Sequence, residues 1–304
     1  MDKSVSLILG SGGARGLAHI GVIRELETQG FEIKSVVGCS IGALVGGLYC
    51  AGKLDAYAEW VSNLQEWDVL KFLDISLTSR TGMMKGDLIM DSLREMVGTH
   101  RIEDLPIRFS AAATDFEDRT EVWFNSGDLF DVIRASIAIP GIFTPKQLDG
   151  RLLVDGGLLN PLPSAPAMFD KTDLSVAVSL SGYDIANPYG DVDLNNHRTE
   201  LETYRERIDQ FLSLAQERLG LETDKKDETQ DDLRLTDVLL GTFDTMQSTI
   251  ARYRLASYPP DILIEIPGNI CQTHEFYRAR PLIAAGHYWA RQALAQHADR
   301  VSQR

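Results

Sequence analysis

The chain has little cysteine, a deficit of positive charge and no long apolar run, and each shortage excludes a class of protein. Its 304 residues hold 3 cysteines, Cys39, Cys50 and Cys271. They are too few and too scattered for a disulfide framework or a closed zinc site. They read as buried thiols in a reducing compartment. Lys and Arg number 30 against 44 Asp and Glu, a formal net charge of −14. That balance argues against nucleic acid as a partner, because neutralising phosphate takes Lys and Arg. It argues equally against electrostatic docking on an anionic membrane face. The longest uncharged apolar stretch, residues 41–52, is broken by Gly42, Gly46 and Gly47. A membrane-spanning helix takes about 20 apolar residues. The start, Met1-Asp2-Lys3 and one short strand-like run, lacks the basic head and apolar core of a signal peptide. The expectation is a soluble cytoplasmic protein, at most peripheral to a membrane through transient surface contact.

What is present is ordinary globular material, 44% hydrophobic and 24% charged. Residues 4–9 form a short apolar run closed by glycines, which suits a buried strand. Residues 15–30 read as a helix with Leu17, Ile20, Ile23 and Leu26 on one face and Gly30 at its end. A second strand over 33–37 leads into a small-residue helix over 41–51. Helices are expected over 54–73, 87–97, 128–138 and 278–300, and strands over 107–114, 120–125, 174–180 and 261–266. Asp149-Gly150 between two short runs is a hairpin signal. Strands alternating with helices imply an α/β fold, its sheet covered on both faces. Residues 182–232 differ: with 14 acidic and 6 basic residues they carry −8 of the net charge. They read as an exposed acidic insertion, or as a lid over a site. The expected organisation is a core over 1–181, the insertion over 182–232, and the rest of the same domain over 233–304.

Two glycine-rich turns carry chemistry. Gly38-Cys39-Ser40-Ile41-Gly42 fits Gly-x-Ser-x-Gly between a strand and a helix. This is the pattern of a nucleophile elbow, which holds a serine hydroxyl out at the end of a sheet. Gly38 and Gly42 are needed because side chains there would collide across the turn. The helix N-terminus adds partial positive charge. Gly10-Ser11-Gly12-Gly13-Ala14-Arg15-Gly16 follows the first strand, where backbone N–H groups can converge on an anion. A phosphate is one choice, but the dinucleotide fingerprint wants glycine where Arg15 stands, and no Gly-Lys-Ser/Thr follows. The oxyanion of an acyl-transfer intermediate is the better choice. A serine nucleophile also needs a base. Asp155, in Val154-Asp155-Gly156-Gly157, is the first candidate and Asp115 the second. A Ser-Asp-His triad through Ser40, Asp155 and His274 is the rival order. His19 reads as a packed helix residue.

Four pieces together resemble the patatin-like phospholipases, in particular bacterial members of the neuropathy-target-esterase type. They are Ser11-Gly12-Gly13-Ala14-Arg15-Gly16, the Ser40 elbow, Arg134-Ala135-Ser136-Ile137-Ala138-Ile139-Pro140, and Asp155-Gly156-Gly157. Their order and spacing match over residues 5–180, and the likeness is expected to weaken beyond. The resemblance implies a patatin-like three-layer α/β/α fold with a central, mostly parallel sheet. It implies a Ser–Asp dyad without histidine that hydrolyses fatty acyl esters of lipids, with no metal or cofactor. Ser40 carries over as nucleophile and Asp155 as base. Gly12, Gly13 and Ala14 carry over as the oxyanion loop, with Arg15 stabilising it. One departure is Ser11, where the pattern has glycine. A regulatory or binding protein with the same fold and little turnover is the other class of reading.

Overall fold

The computed structural model describes residues 3–65, 86–165, 167, 170–186 and 235–303. Eight strands form one sheet: β1 (Lys3–Leu9), β2 (Phe31–Cys39), β3 (Arg108–Asp115), β4 (Thr120–Phe124), β5 (Lys146–Leu148), β6 (Arg151–Asp155), β7 (Leu174–Gly182) and β8 (Ile262–Pro267). The run β3-β2-β1-β7-β8 is parallel, and β4, β5 and β6 add antiparallel pairings. The helices are α1 (Ala18–Thr28), α2 (Ile41–Cys50), α3 (Leu54–Ser62), α4 (Asp87–Val97), α5 (Leu129–Ser136), α6 (Leu235–Ser257) and α7 (Ala279–Ser302).

Alternation along β1 separates the two faces. Val5, Leu7 and Leu9 pack with Leu17, Ile20 and Ile23, with Leu44 and Leu48 of α2, and with Leu282 and Leu294 of α7. Ile8 points the other way and packs with Val37, Ala177, Leu162 and Ala251 of α6. The fold is therefore α/β with helices on both faces of a mostly parallel sheet. In the second layer α6 brings Ala251 and Gln247 into burial, while Val238, Met246 and Tyr253 stay exposed.

The edge of β3 matters for the site. Residues 112 and 113 each pair with β4 on one side. On the other side Ala112 pairs with Cys39 of β2, and Ala113 pairs with Asp155 of β6. So β2 runs out and β6 arrives from the opposite direction along the same edge.

Most expected elements appear within a few residues. The first helix is not regular from residue 15: a 3-10 turn over Gly13–Leu17 precedes α1. That tighter turn keeps the glycine loop close to the strand ends. Asp149 (φ 49°) and Gly150 (φ 76°) make the expected hairpin turn, both in the left-handed region. The helix expected over 54–73 is seen as Leu54–Ser62; its later part and nearly all of the acidic insertion lie outside the described residues. All three cysteines are buried free thiols. No helix among the described residues is long and apolar enough to cross a membrane.

Candidate active site

The site lies at the carboxyl ends of β1 and β2, beside the point where the chain switches from one side of β1 to the other. Ser40 follows β2 directly and precedes α2. Its backbone is at φ 54°, ψ −123°, a region L-residues avoid. Two flanking glycines permit this. A Cβ on Gly38 would lie 2.5 Å from the Gly42 carbonyl oxygen, and one on Gly42 would lie 2.2 Å from that of Leu9. The strained turn is held from outside: the Ser40 N–H donates to Ser136 Oγ at 2.9 Å, and Ser136 Oγ donates to the Ala112 carbonyl at 2.6 Å.

Asp155 ends β6 and faces this turn. Ser40 Oγ donates to Asp155 Oδ2 at 2.5 Å. The second carboxylate oxygen, Oδ1, accepts the Gly157 N–H at 2.6 Å. The Asp155 N–H donates to the Ala138 carbonyl at 2.9 Å. Residues 136 and 138 therefore anchor the nucleophile turn and the base strand through one short segment. Asp155 is fully buried. Burial raises its pKa from the ordinary carboxyl value to about 7, against the opposing hydrogen bonds from Ser40 and Gly157. Such a group can take a proton near neutrality. The neighbouring Cys39 thiol is pushed well up by burial and the Asp155 charge.

The glycine loop lies alongside. Gly10 and Ser11 donate their N–H groups to the Val178 and Pro161 carbonyls. Ala14 departs from expectation: its N–H donates to the Thr273 carbonyl at 2.8 Å and is already engaged. Gly12 and Gly13 make no N–H hydrogen bond among the described residues. The buried Arg15 donates to the Gly12 carbonyl at 3.1 Å and the Gly268 carbonyl at 3.0 Å, and pairs with Asp244. It ties the loop to α6 and to the turn after β8. His19 lies under the loop, its ring Nε2 donating to the Gly10 carbonyl at 2.9 Å. Burial lowers its pKa to about 4, so it is neutral.

The other candidates sit elsewhere. Asp115 caps its own turn, accepting the Glu117 and Asp118 N–H groups. His274 is exposed in the loop after β8, and the direct Ser40–Asp155 bond has no histidine between its partners. Sequence reasoning gave no role to Ser136, Asp244, Gln247 or Thr273. Ser136 stood inside a quoted motif. The others come from the last third of the chain, where no local pattern points back to the first strand.

A serine on a strand-to-helix elbow is thus bonded to a buried aspartate beside a glycine loop. The patatin-like phospholipase family model matches residues 7–168, which contain all of these pieces except the α6 and Thr273 contacts. The chain belongs to this family. An uncharacterized NTE family protein of Mycobacterium tuberculosis is 40% identical over 95% of this chain and 91% of its own length. The family model ends at residue 168, in line with a likeness that weakens beyond residue 180, while this relative matches nearly the whole chain. Neuropathy target esterase sws of Drosophila persimilis is 35% identical over 53% of this chain and 12% of its own length. Lysophospholipase NTE1 of Kluyveromyces lactis is 34% identical over 62% of this chain and 14% of its own length. The patatin-like part is thus a small fraction of those two longer proteins.

Proposed function

We propose that the protein is a serine acyl hydrolase that cleaves fatty acyl esters of lysophospholipids and phospholipids through a Ser40–Asp155 dyad. The carrying observation is the 2.5 Å hydrogen bond from Ser40 Oγ to Asp155 Oδ2, made at the elbow. The names of two relatives, an esterase and a lysophospholipase, support the ester class.

In the proposed reaction, ionised Asp155 accepts the Ser40 hydroxyl proton as Oγ attacks the acyl carbonyl. The oxyanion is held by the Gly12 and Gly13 N–H groups, which make no other hydrogen bond among the described residues. The α2 N-terminus adds favourable partial charge behind the nucleophile. Collapse breaks the ester C–O bond, and the departing alcohol takes the proton back from Asp155. Water then gives a proton to Asp155 and attacks the acyl-enzyme; collapse breaks the acyl–Oγ bond, Oγ takes the proton back from Asp155, and fatty acid leaves. Arg15 holds the Gly12 carbonyl and so fixes the loop. No step draws on a metal or cofactor. A lysophospholipid and phospholipid panel, assayed with wild type and Ser40→Ala, tests the reading. Fatty acid release by wild type alone is expected. A wild type inert on every lipid while still binding them would favour a binding protein.

A further inference from the structure

The first residue of the glycine loop carries a hydroxyl, and that hydroxyl is turned inward. Ser11 is buried, and its Oγ donates to Gln247 Oε1 at 2.7 Å. Its φ is not positive, so serine stands there without strain. Gln247 comes from α6, 236 residues away in sequence, and is itself buried. Its amide nitrogen is directed at the turn that carries the base. A Cβ placed on Gly157 would lie 2.2 Å from Gln247 Nε2 and 2.9 Å from both Asp155 Oδ1 and Ser11 Oγ. Three polar atoms from three separate elements therefore surround one point, which only a glycine at 157 leaves open. They belong to the oxyanion loop, to the base and to α6.

The carboxamide suits this place. Its oxygen accepts from Ser11 while its nitrogen still offers a donor on the carboxylate side. A carboxylate there would offer no donor, and an alkyl chain neither function. Three residues earlier on the same helix face, Asp244 pairs with Arg15. So α6 grips the loop at both Ser11 and Arg15. Among the described side chains α6 places Ala251 and Leu255 beneath the sheet, and Gln247 and Asp244 are its polar attachments to the loop.

We infer that Gln247 is a positioning residue that acts through Ser11 to set the oxyanion loop against Asp155. The acyl carbonyl must meet the loop's N–H groups and the base-activated Ser40 together, and a displacement of about 1 Å between such groups can cost about 10²-fold in rate. The inference rests on the proposed roles of Ser40 and Asp155.

The test measures kcat and KM for Ser11→Ala, Gln247→Met and the double variant on a soluble p-nitrophenyl acyl ester. Each single change should lower kcat about 10- to 100-fold with KM within about threefold. The double variant should be no slower than the worse single one, since both break one interaction. Gln247→Glu should also move the acidic limb of kcat upward by about one pH unit, because a second carboxylate beside Asp155 makes its ionisation harder. A purely structural role would lower melting temperature without moving that limb. Should Gln247→Met fail to fold, Ser11→Gly cuts the same bond from the other side. Single variants with wild-type kcat, or losses that multiply in the double variant, overturn the inference alone. A wild type whose Ser40 takes no fluorophosphonate label and whose ester turnover is absent overturns the dyad reading with it.

Discussion

Cys39 and Asp155 occupy consecutive rungs on one edge of β3, the first paired with Ala112 and the second with Ala113. The strands that bear them run in opposite directions. The residue after Cys39 is therefore driven toward the residue that ends β6. That residue is Ser40, and the two side chains meet at 2.5 Å. Backbone pairing sets the distance, so the contact is preorganised rather than assembled from mobile loops.

The elbow strain gives a prediction that separates backbone from chemistry. Ser40→Ala and Ser40→Gly both remove the hydroxyl and should both lose turnover by about 10⁴-fold or more, along with fluorophosphonate labelling. They should differ in stability. At φ 54° a Cβ costs about 1–2 kcal/mol, a cost that glycine escapes. Thermal unfolding should place Ser40→Gly above Ser40→Ala. Equal melting temperatures would mean that the turn relaxes when the hydroxyl is gone.

The oxyanion loop can be tested while every N–H is kept. Gly13 has φ 57°, and a Cβ there would lie 2.3 Å from Thr273 Cγ2 and 2.6 Å from the Thr273 carbonyl oxygen. Gly13→Ala must push the loop off that contact. Turnover of a soluble ester should fall by about 10²-fold or more, the scale of losing one donor. Circular dichroism would check that the fold survives. A folded variant with near-full turnover removes the loop from the mechanism.

How much of this was legible in the sequence follows from how local each signal is. The elbow, the hairpin turn at Asp149-Gly150 and the Asp155 turn are each written in a few adjacent residues, and each appears where expected. Helix α6 was not anticipated. Its exposed Val238, Met246 and Tyr253 blur the apolar stripe, and Gly241 and several threonines lower its helix propensity. Thr242, Thr245 and Thr249 instead turn their hydroxyls onto carbonyls four residues earlier. The helix makes tertiary contacts through Asp244, Gln247, Ala251 and Arg254, which no window of sequence reveals. The family resemblance puts Ala14 among the donors. Thr273, nearly 260 residues later, takes its N–H.

Histidine provides the sharpest choice between mechanisms. If a triad operated, His274 would take the Ser40 proton and its removal would be as damaging as loss of the serine. Both Asp155 oxygens are already bonded, to Ser40 and to Gly157. His274→Ala should therefore keep ester turnover within about tenfold of wild type. A folded His274→Ala as inactive as Ser40→Ala would reject the dyad.

The pH behaviour of Asp155 decides whether the base and the burial are the same fact. Its pKa is raised by burial from the ordinary carboxyl value to about 7. Turnover should then fall about tenfold per pH unit below pH 7, as the base is protonated. A histidine would give a similar limb, so the limb alone is not enough. Stability supplies the second reading. The folded protein holds its Asp155 proton up to about pH 7, whereas the unfolded chain releases it near pH 4. Between those values the folded state binds more protons, so stability declines as pH rises and stays reduced above pH 7. Asp155→Asn carries no charge to desolvate. It should lose roughly 10³-fold or more in turnover, yet melt above wild type at pH 8, by on the order of a few kcal/mol in stability. That advantage should shrink as pH falls through 7 and vanish near pH 4. An Asp155→Asn protein less stable than wild type at pH 8, with the gap unchanged at pH 5, would show that the carboxylate is stabilised in place and that burial does not set its proton affinity.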